Sequence, residues 1–351
     1  MQTGKISTAV WDRCFGHRVT APGGGRLSRD SGWKEANGSL FAVTRSVGGQ
    51  YDLSPEMVIA EAVNRSFLKS VNDYGLPKVL PEDPGIPAFS GIAVHFLLAR
   101  DTTEEMLYER MDRIVQFCRA SEIEIVSADA AVSDAVLRDV MTVSARTEYS
   151  RTGGNCRPIP DQKEKIRVPE NFSVFLAGCP GDAGISILAD AMKEHLRERF
   201  SSAFTEYAGQ FGKKLLCRDL LTDLLAQKNS LEQREDASLD RIFAYPTGEG
   251  GIFAALWHFC RLFQTGARID PRKIPIHQET IEICEYLGIH PYQLYTCQAF
   301  LFAVPSGEDW PGAARIGETA GGPACVLEHG EEVRYLEKPQ ADGLMLLAAG
   351  N

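Results

Sequence analysis

The stretch that most limits how this chain can fold runs from Gly248 to Pro305: GEGGIFAALWHFCRLFQTGARIDPRKIPIHQETIEICEYLGIHPYQLYTCQAFLFAVP. It opens on a glycine turn, Gly248-Glu249-Gly250-Gly251, and passes directly into apolar residues, Ile252 to Phe263. Leu256, Phe259, Cys260 and Phe263 recur at helical spacing, which predicts a buried helix entered through glycines. Such an entry leaves backbone N–H groups without intrahelical partners at the positive end of the helix dipole. Gly250 and Gly251 are therefore candidates to seat a phosphate, the alternative being that they only let helix and strand pack closely. A second helix, with Thr280, Ile281, Ile283, Cys284 and Leu287, stops at Gly288. Phe300 to Val304 then reads as a strand ended by Pro305.

A chain of 351 residues is too long for one small core and suits two domains. We place them at 1–150 and 171–351, with 151–170 as a linker. The net charge of −10, with no basic tract to offset it, argues against nucleic acid and against an anionic membrane surface. No apolar run approaches the roughly 20 residues that a spanning helix needs. The N-terminus, MQTGKISTAVWDR, lacks the apolar core of a secretory signal. Nine cysteines are scattered without a CxxC pair, which fits reduced thiols in a cytoplasmic protein.

Taken in order, residues 1–38 carry Gly23-Gly24-Gly25 and Asp30 without clear periodicity and read as a leader. Leu40 to Thr44 is a short strand, and Ser54-Pro55 caps and starts a helix reaching Val71. Glu82 to Pro87 is a proline-rich loop. Gly91 to Ala99 is a continuous apolar strand, central in a sheet, whose His95 reads as a core histidine. Thr102 or Thr103 caps a helix to Ala120 that carries Met106, Ile114, Val115 and Phe117. Strands follow at Ile123 to Val126 and Val140 to Ala145, an alternation that fits an α/β domain. Ser150 to Pro169 is polar and linker-like. Phe172 to Ala177 starts the second domain as a strand, and Gly178 to Gly184 turns it into one long helix, Ile185 to Phe211, with Gly209 as a candidate break. Asp219 to Asp240 is helical, Pro305 to Gly322 a loop, and Cys325 to Lys338 a hairpin around His329-Gly330.

Three stretches carry a resemblance to a known superfamily, as does the phrase Ile274 to Leu294. They are "GIAVHFLLARDTTEEMLYERMDRIVQFCRASEIEIV", "AGCPGDAGISILADAMKEHLRERF" and "ARIGETAGGPACVLEHG". Together they resemble the AIR synthase-like (PurM-type) superfamily, closest to AIR synthase-related proteins and hydrogenase maturation factors. Its other members include aminoimidazole ribonucleotide synthase, selenophosphate synthetase and thiamine-monophosphate kinase. The resemblance implies an α/β (α+β) fold of two PurM-like domains, the N-terminal sheets of two subunits pairing into a barrel. It also implies ATP, with magnesium held by aspartates, because a triphosphate's charge must be neutralised before its γ-phosphate is transferred.

Against that pattern the carboxylates are missing. After the Leu40 strand the family places an Asp; this chain has Thr44-Arg45-Ser46. Where relatives carry Asn-Asp on a helix, it has Asn64-Arg65. Asn72-Asp73 is a rival alignment with spacing too short. Where relatives read Gly-Gly-Asp/His-Thr-Glu, it reads Ser127-Ala128-Asp129-Ala130-Ala131, keeping only Asp129. The Asp that precedes the second glycine turn falls at Tyr245 or Pro246, and a serine-glycine turn becomes Thr296-Cys297-Gln298. The chain ends LAAGN, without the terminal cysteine that carries the substrate in the superfamily's hydrogenase-maturation dehydratase.

Asn64, Arg65, Asp129, Gly250 and Gly251 are the expected contacts to ATP or another phosphate-bearing ligand, with no metal ligand assigned and magnesium weak or absent. Arg45 and Arg65 can meet phosphate oxygens directly. One expectation is a homodimer of degenerate, pseudoenzyme character, binding a protein partner in a regulatory or maturation role. The alternative is an active ATP-dependent enzyme, synthase- or kinase-like, acting on a small metabolite or a metallocofactor-maturation intermediate. Cys297, near His277 and His290 in sequence, reads as a buried thiol rather than a nucleophile.

Overall fold

The computed structural model describes residues 4–5, 10, 12–16, 39–74, 88–148, 167–231 and 242–350. The leader glycines with Asp30, the Glu82 to Pro87 loop and most of the expected linker lie outside these residues. The chain divides into two compact units, one of residues 1–67 with 87–150, the other of 68–86 with 151–351.

The first unit is a five-stranded sheet with helices. β1 (Gly4–Lys5), β2 (Ser39–Val47), β3 (Ala88–Leu98), β4 (Ile125–Val132) and β5 (Asp139–Glu148) lie in the order β1-β4-β3-β5-β2. β3 is central, parallel to β4 and antiparallel to β5, as its apolar run predicts. α1 (Pro55–Tyr74) begins where Ser54 Oγ accepts from the Met57 amide at 3.4 Å. It buries Val58, Ile59, Ala62, Val63 and Phe67, each large side chain worth about 1.5–3 kcal/mol on leaving water. α2 (Glu104–Ala120) is capped by Thr103 Oγ1, and its buried stripe is Leu107, Met111, Ile114, Val115 and Cys118. The expected core position Met106 is exposed.

β3 corrects the reading of His95. Ile92, Val94, Phe96 and Leu98 are buried, while His95 and Leu97 on the other face are exposed. The strand is central in its sheet yet covered on one side only, so His95 is not a core residue.

The second unit is built on β6 (Ser173–Ala177), β7 (Phe243–Pro246), β8 (Gly266–Ile269), β9 (Phe300–Val304), β10 (Ala314–Ala320), β11 (Cys325–His329) and β12 (Glu332–Tyr335). Their order is β12-β11-β8-β10-β6-β9-β7. Its described helices are α3 (Asp182–Ala191), α4 (Lys193–Leu196), α5 (Ser202–Ala208), α6 (Cys217–Leu231), α7 (Gly251–Leu262), α8 (Gln278–Leu287) and α9 (Gly343–Gly350). The helix expected after the glycine turn is α7, and its Ile252, Leu256, Phe259 and Phe263 pack on Val174, Leu176, Leu301 and Ile316. α8 stops at left-handed Gly288, φ +66°, as its sequence predicts.

Two expectations fail here. The single helix Ile185 to Phe211 is α3, α4 and α5 in succession, because Ser201 accepts from the Phe204 amide and starts a new helix. The loop Pro305 to Gly322 contains β10, an interior strand paired to both β6 and β8. A bulge between Arg315 and Gly317 breaks its alternation, and that hides the strand in the sequence.

Candidate functional site

In the first unit, the two arginines that stand where the resemblance places aspartates converge on one carboxylate. Arg45 lies on β2, and α1 carries Glu61, Asn64 and Arg65 one turn apart. Glu61 is 1% exposed; Arg45 reaches it through Nε at 3.1 Å and Nη2 at 2.7 Å, and Arg65 through Nε at 3.2 Å and Nη2 at 3.0 Å. Arg45 spans both carboxylate oxygens, the strong bidentate form of such a pair, while both Arg65 donors share Oε1. Arg65 leaves its Nη1 without a hydrogen-bond partner among the described residues and lies 5.7 Å over the Phe41 ring. Asn64 is buried.

Asp129 is not brought to this cluster. In register across the sheet, Asp129, His95, Thr142 and Thr44 form one row, and the Thr44 and Thr142 hydroxyls meet at 3.0 Å. Arg45 belongs to the neighbouring row with Met141, Phe96 and Ala130, whose side chains point to the opposite face. Asp129 Oδ1 accepts from the Ala130 amide at 2.8 Å.

In the second unit, the glycine turn holds an anion that belongs to the chain. Gly250, φ +76°, donates its N–H to Asp342 Oδ2 at 2.7 Å, and the Gly251 N–H goes to the Gly248 carbonyl at 3.1 Å. Asp342 Oδ1 accepts from Leu344 at 2.9 Å, so one carboxylate caps α9 and fills the turn. A Cβ on Gly251 would stand 2.6 Å from the Tyr292 carbonyl oxygen, which shows how closely the turn is packed. Burial pushes the Asp342 carboxyl up to about 6 against the pull of the Leu344, Gly250 and Tyr295 amides.

A second cluster surrounds the turn from β6 into α3. Gly178 and Gly181 are left-handed, and Gly181 donates to Thr296 Oγ1 at 2.6 Å. That turn places Cys179 and Asp182 beside His277 at the start of α8, their ligand atoms all within 4.8 Å of one another. His277 Nδ1 and Asp182 Oδ1 are 2.8 Å apart, and the imidazole stacks on Phe211 at 4.3 Å between centroids. Burial raises Asp182 to about 6 and the Cys179 thiol to about 11, so the thiol is not a poised nucleophile. The sequence assigns this turn no chemistry, because 95 positions separate Asp182 from His277. Cys297 is buried at 1% exposure, with Gln298 as its near neighbour.

The architecture is that of PurM-type, two-sheet α/β proteins. Among solved structures, hydrogenase maturation protein HypE in complex with ATP matches with a TM-score of 0.61, 15% identity and 90% of each chain covered. The HypE–HypF complex matches at 0.58 and 15%, over 89% of this chain and 93% of that one. AaThiL complexed with AMPPCP and TMP matches at 0.54 and 16%, over 85% of both chains. In sequence, no family model and no curated protein matches. The expected likeness to the superfamily is therefore carried by the fold.

Proposed function

We propose that the chain is a PurM-type scaffold that binds a phosphate-bearing ligand, most simply an adenine nucleotide, with weak or no magnesium-dependent ATP chemistry. The carrying observation is Glu61 held between Arg45 and Arg65, at the two positions where the resemblance expects metal carboxylates. A cation pair there repels magnesium, while the open Nη1 of Arg65 can receive a phosphate oxygen. The ATP and AMPPCP in the HypE and AaThiL structures support a nucleotide as the ligand class. Of the other expected contacts, Gly250 requires displacement of Asp342, and Asp129 faces away from Arg65.

The role that fits is binding, regulation or maturation, as a homodimer with a protein partner. Leu40, 57% exposed, and Leu97, 36% exposed, lie on the open face of the first sheet and support pairing of two such faces. HypE, in its complex with HypF, gives the example for a protein partner. The domain division at 1–150 and 171–351 and a cytoplasmic location belong to the same reading. No described helix is long and apolar enough to cross a membrane.

A hydrolysis assay on purified protein tests this. We expect no release of phosphate from ATP above background with magnesium present. Sustained magnesium-dependent turnover establishes the enzyme alternative instead.

A further inference from the structure

Cys179, Asp182 and His277 bring one sulfur, one carboxylate oxygen and one imidazole nitrogen to a common point. They come from two segments that meet only through the fold, and neither segment takes part in the arginine cluster. Their surroundings hold them in place. Gly178 and Gly181 fix the turn in left-handed conformations, Thr296 anchors the Gly181 amide, and Phe211 stacks on the His277 ring. Asp182 is 8% exposed, and its carboxylate has His277 as its one hydrogen-bond partner among the described residues. His277 precedes the first turn of α8 yet makes no side-chain cap there, so its ring is committed to Asp182. Thr280, one turn further along α8 with its methyl against Gly181, has a buried hydroxyl with no hydrogen-bond partner among the described residues.

We propose that Cys179, Asp182 and His277 form a binding site for one borderline divalent transition-metal ion of the zinc class. The donor set decides the class. Magnesium and calcium want oxygen throughout, whereas one thiolate, one imidazole and one carboxylate are the ligands zinc prefers. Three protein ligands leave the fourth tetrahedral position open, and His277 and Cys179 are half-buried, so an ion can enter from solvent. Tetrahedral ligands at about 2.0–2.3 Å from the ion stand about 3.3–3.8 Å apart, so a trio within 4.8 Å needs only side-chain adjustment. On binding, the ion takes the position between Nδ1 and Oδ1. The Nδ1 proton moves to Nε2, the thiol proton leaves to solvent, and the new bonds run from the ion to Sγ, Nδ1 and a carboxylate oxygen.

The test is metal titration of the full chain after chelation, with zinc for stoichiometry and cobalt for ligand identity. We expect one equivalent of zinc, and for cobalt a thiolate-to-metal charge-transfer band with tetrahedral visible absorption. Zinc should shield Cys179 from alkylation, read by peptide mass spectrometry. Cys179→Ser and His277→Gln should each weaken zinc at least tenfold and keep the wild-type circular dichroism. Asp182→Asn gives a third variant with little change in volume. No stoichiometric zinc in the wild type, or equal affinity and equal alkylation in wild type and Cys179→Ser, overturns the site.

Discussion

In the first unit Glu61 lies under two guanidinium groups; in the second, Asp182 and Asp342 are buried among amides, a thiol and an imidazole. All three carboxylates are at most 8% exposed, so exposure does not separate them. Partner charge does. Glu61 has its charge answered in place, and removing it leaves two cations facing each other. Asp182 and Asp342 have no arginine or lysine partner among the described residues, and burial shifts both toward the protonated form. In the first arrangement two cations already answer the carboxylate's charge; in the second the carboxylates keep a charge that a ligand can still answer.

The largest effect expected from this contrast is on stability. Glu61→Ala should cost about 3 kcal/mol, the lower end for a broken buried pair because both arginines keep some solvent. Asp182→Asn should change stability by less than about 1 kcal/mol at neutral pH, since the amide can still bond His277. Urea unfolding of the two variants checks this, and equal losses would erase the distinction between the units.

An effect of similar size concerns pH. Asp342 has a carboxyl at about 6 in the fold against about 3.9 in an unfolded chain, with Glu249 as the nearby acid that adds to the rise. The folded state therefore holds the proton more tightly. Its stabilising contribution is full below about pH 4 and is lost as pH rises through about 6, a change of about 3 kcal/mol. Asp182 contributes in the same direction. Asp342→Asn should remove its share of that slope in unfolding measurements from about pH 4 to pH 7. An unchanged slope shows that Asp342 does not titrate in this window.

The sequence made the scaffold legible where one residue decides a boundary. Ser54 and Thr103 start helices through their side chains, and Gly288 ends one because only a left-handed residue fits there. β10 was not legible because its bulge breaks the period, and α5 was not because Ser201 looks like any helix-surface serine until it caps. Of the candidate site, the sequence shows Arg45 and Arg65 at positions where the resemblance expects aspartates. Their shared partner Glu61 cannot, since β2 and α1 must first pack. Asp342 at the glycine turn and His277 at the α3 turn are likewise products of long-range folding, 92 and 95 positions from their partners.

On the proposed function, arginine and not a magnesium–carboxylate cluster answers the charge in the first unit. Calorimetric titration with ATP, with and without magnesium, on wild type and Asp129→Ala, tests it most directly. Asp129 lies on the face opposite Arg45 and is a single carboxylate, too few to hold a hard divalent cation. Nucleotide binding should not depend on magnesium and should have the same affinity in both proteins. Tight binding that requires magnesium and disappears in Asp129→Ala would contradict it.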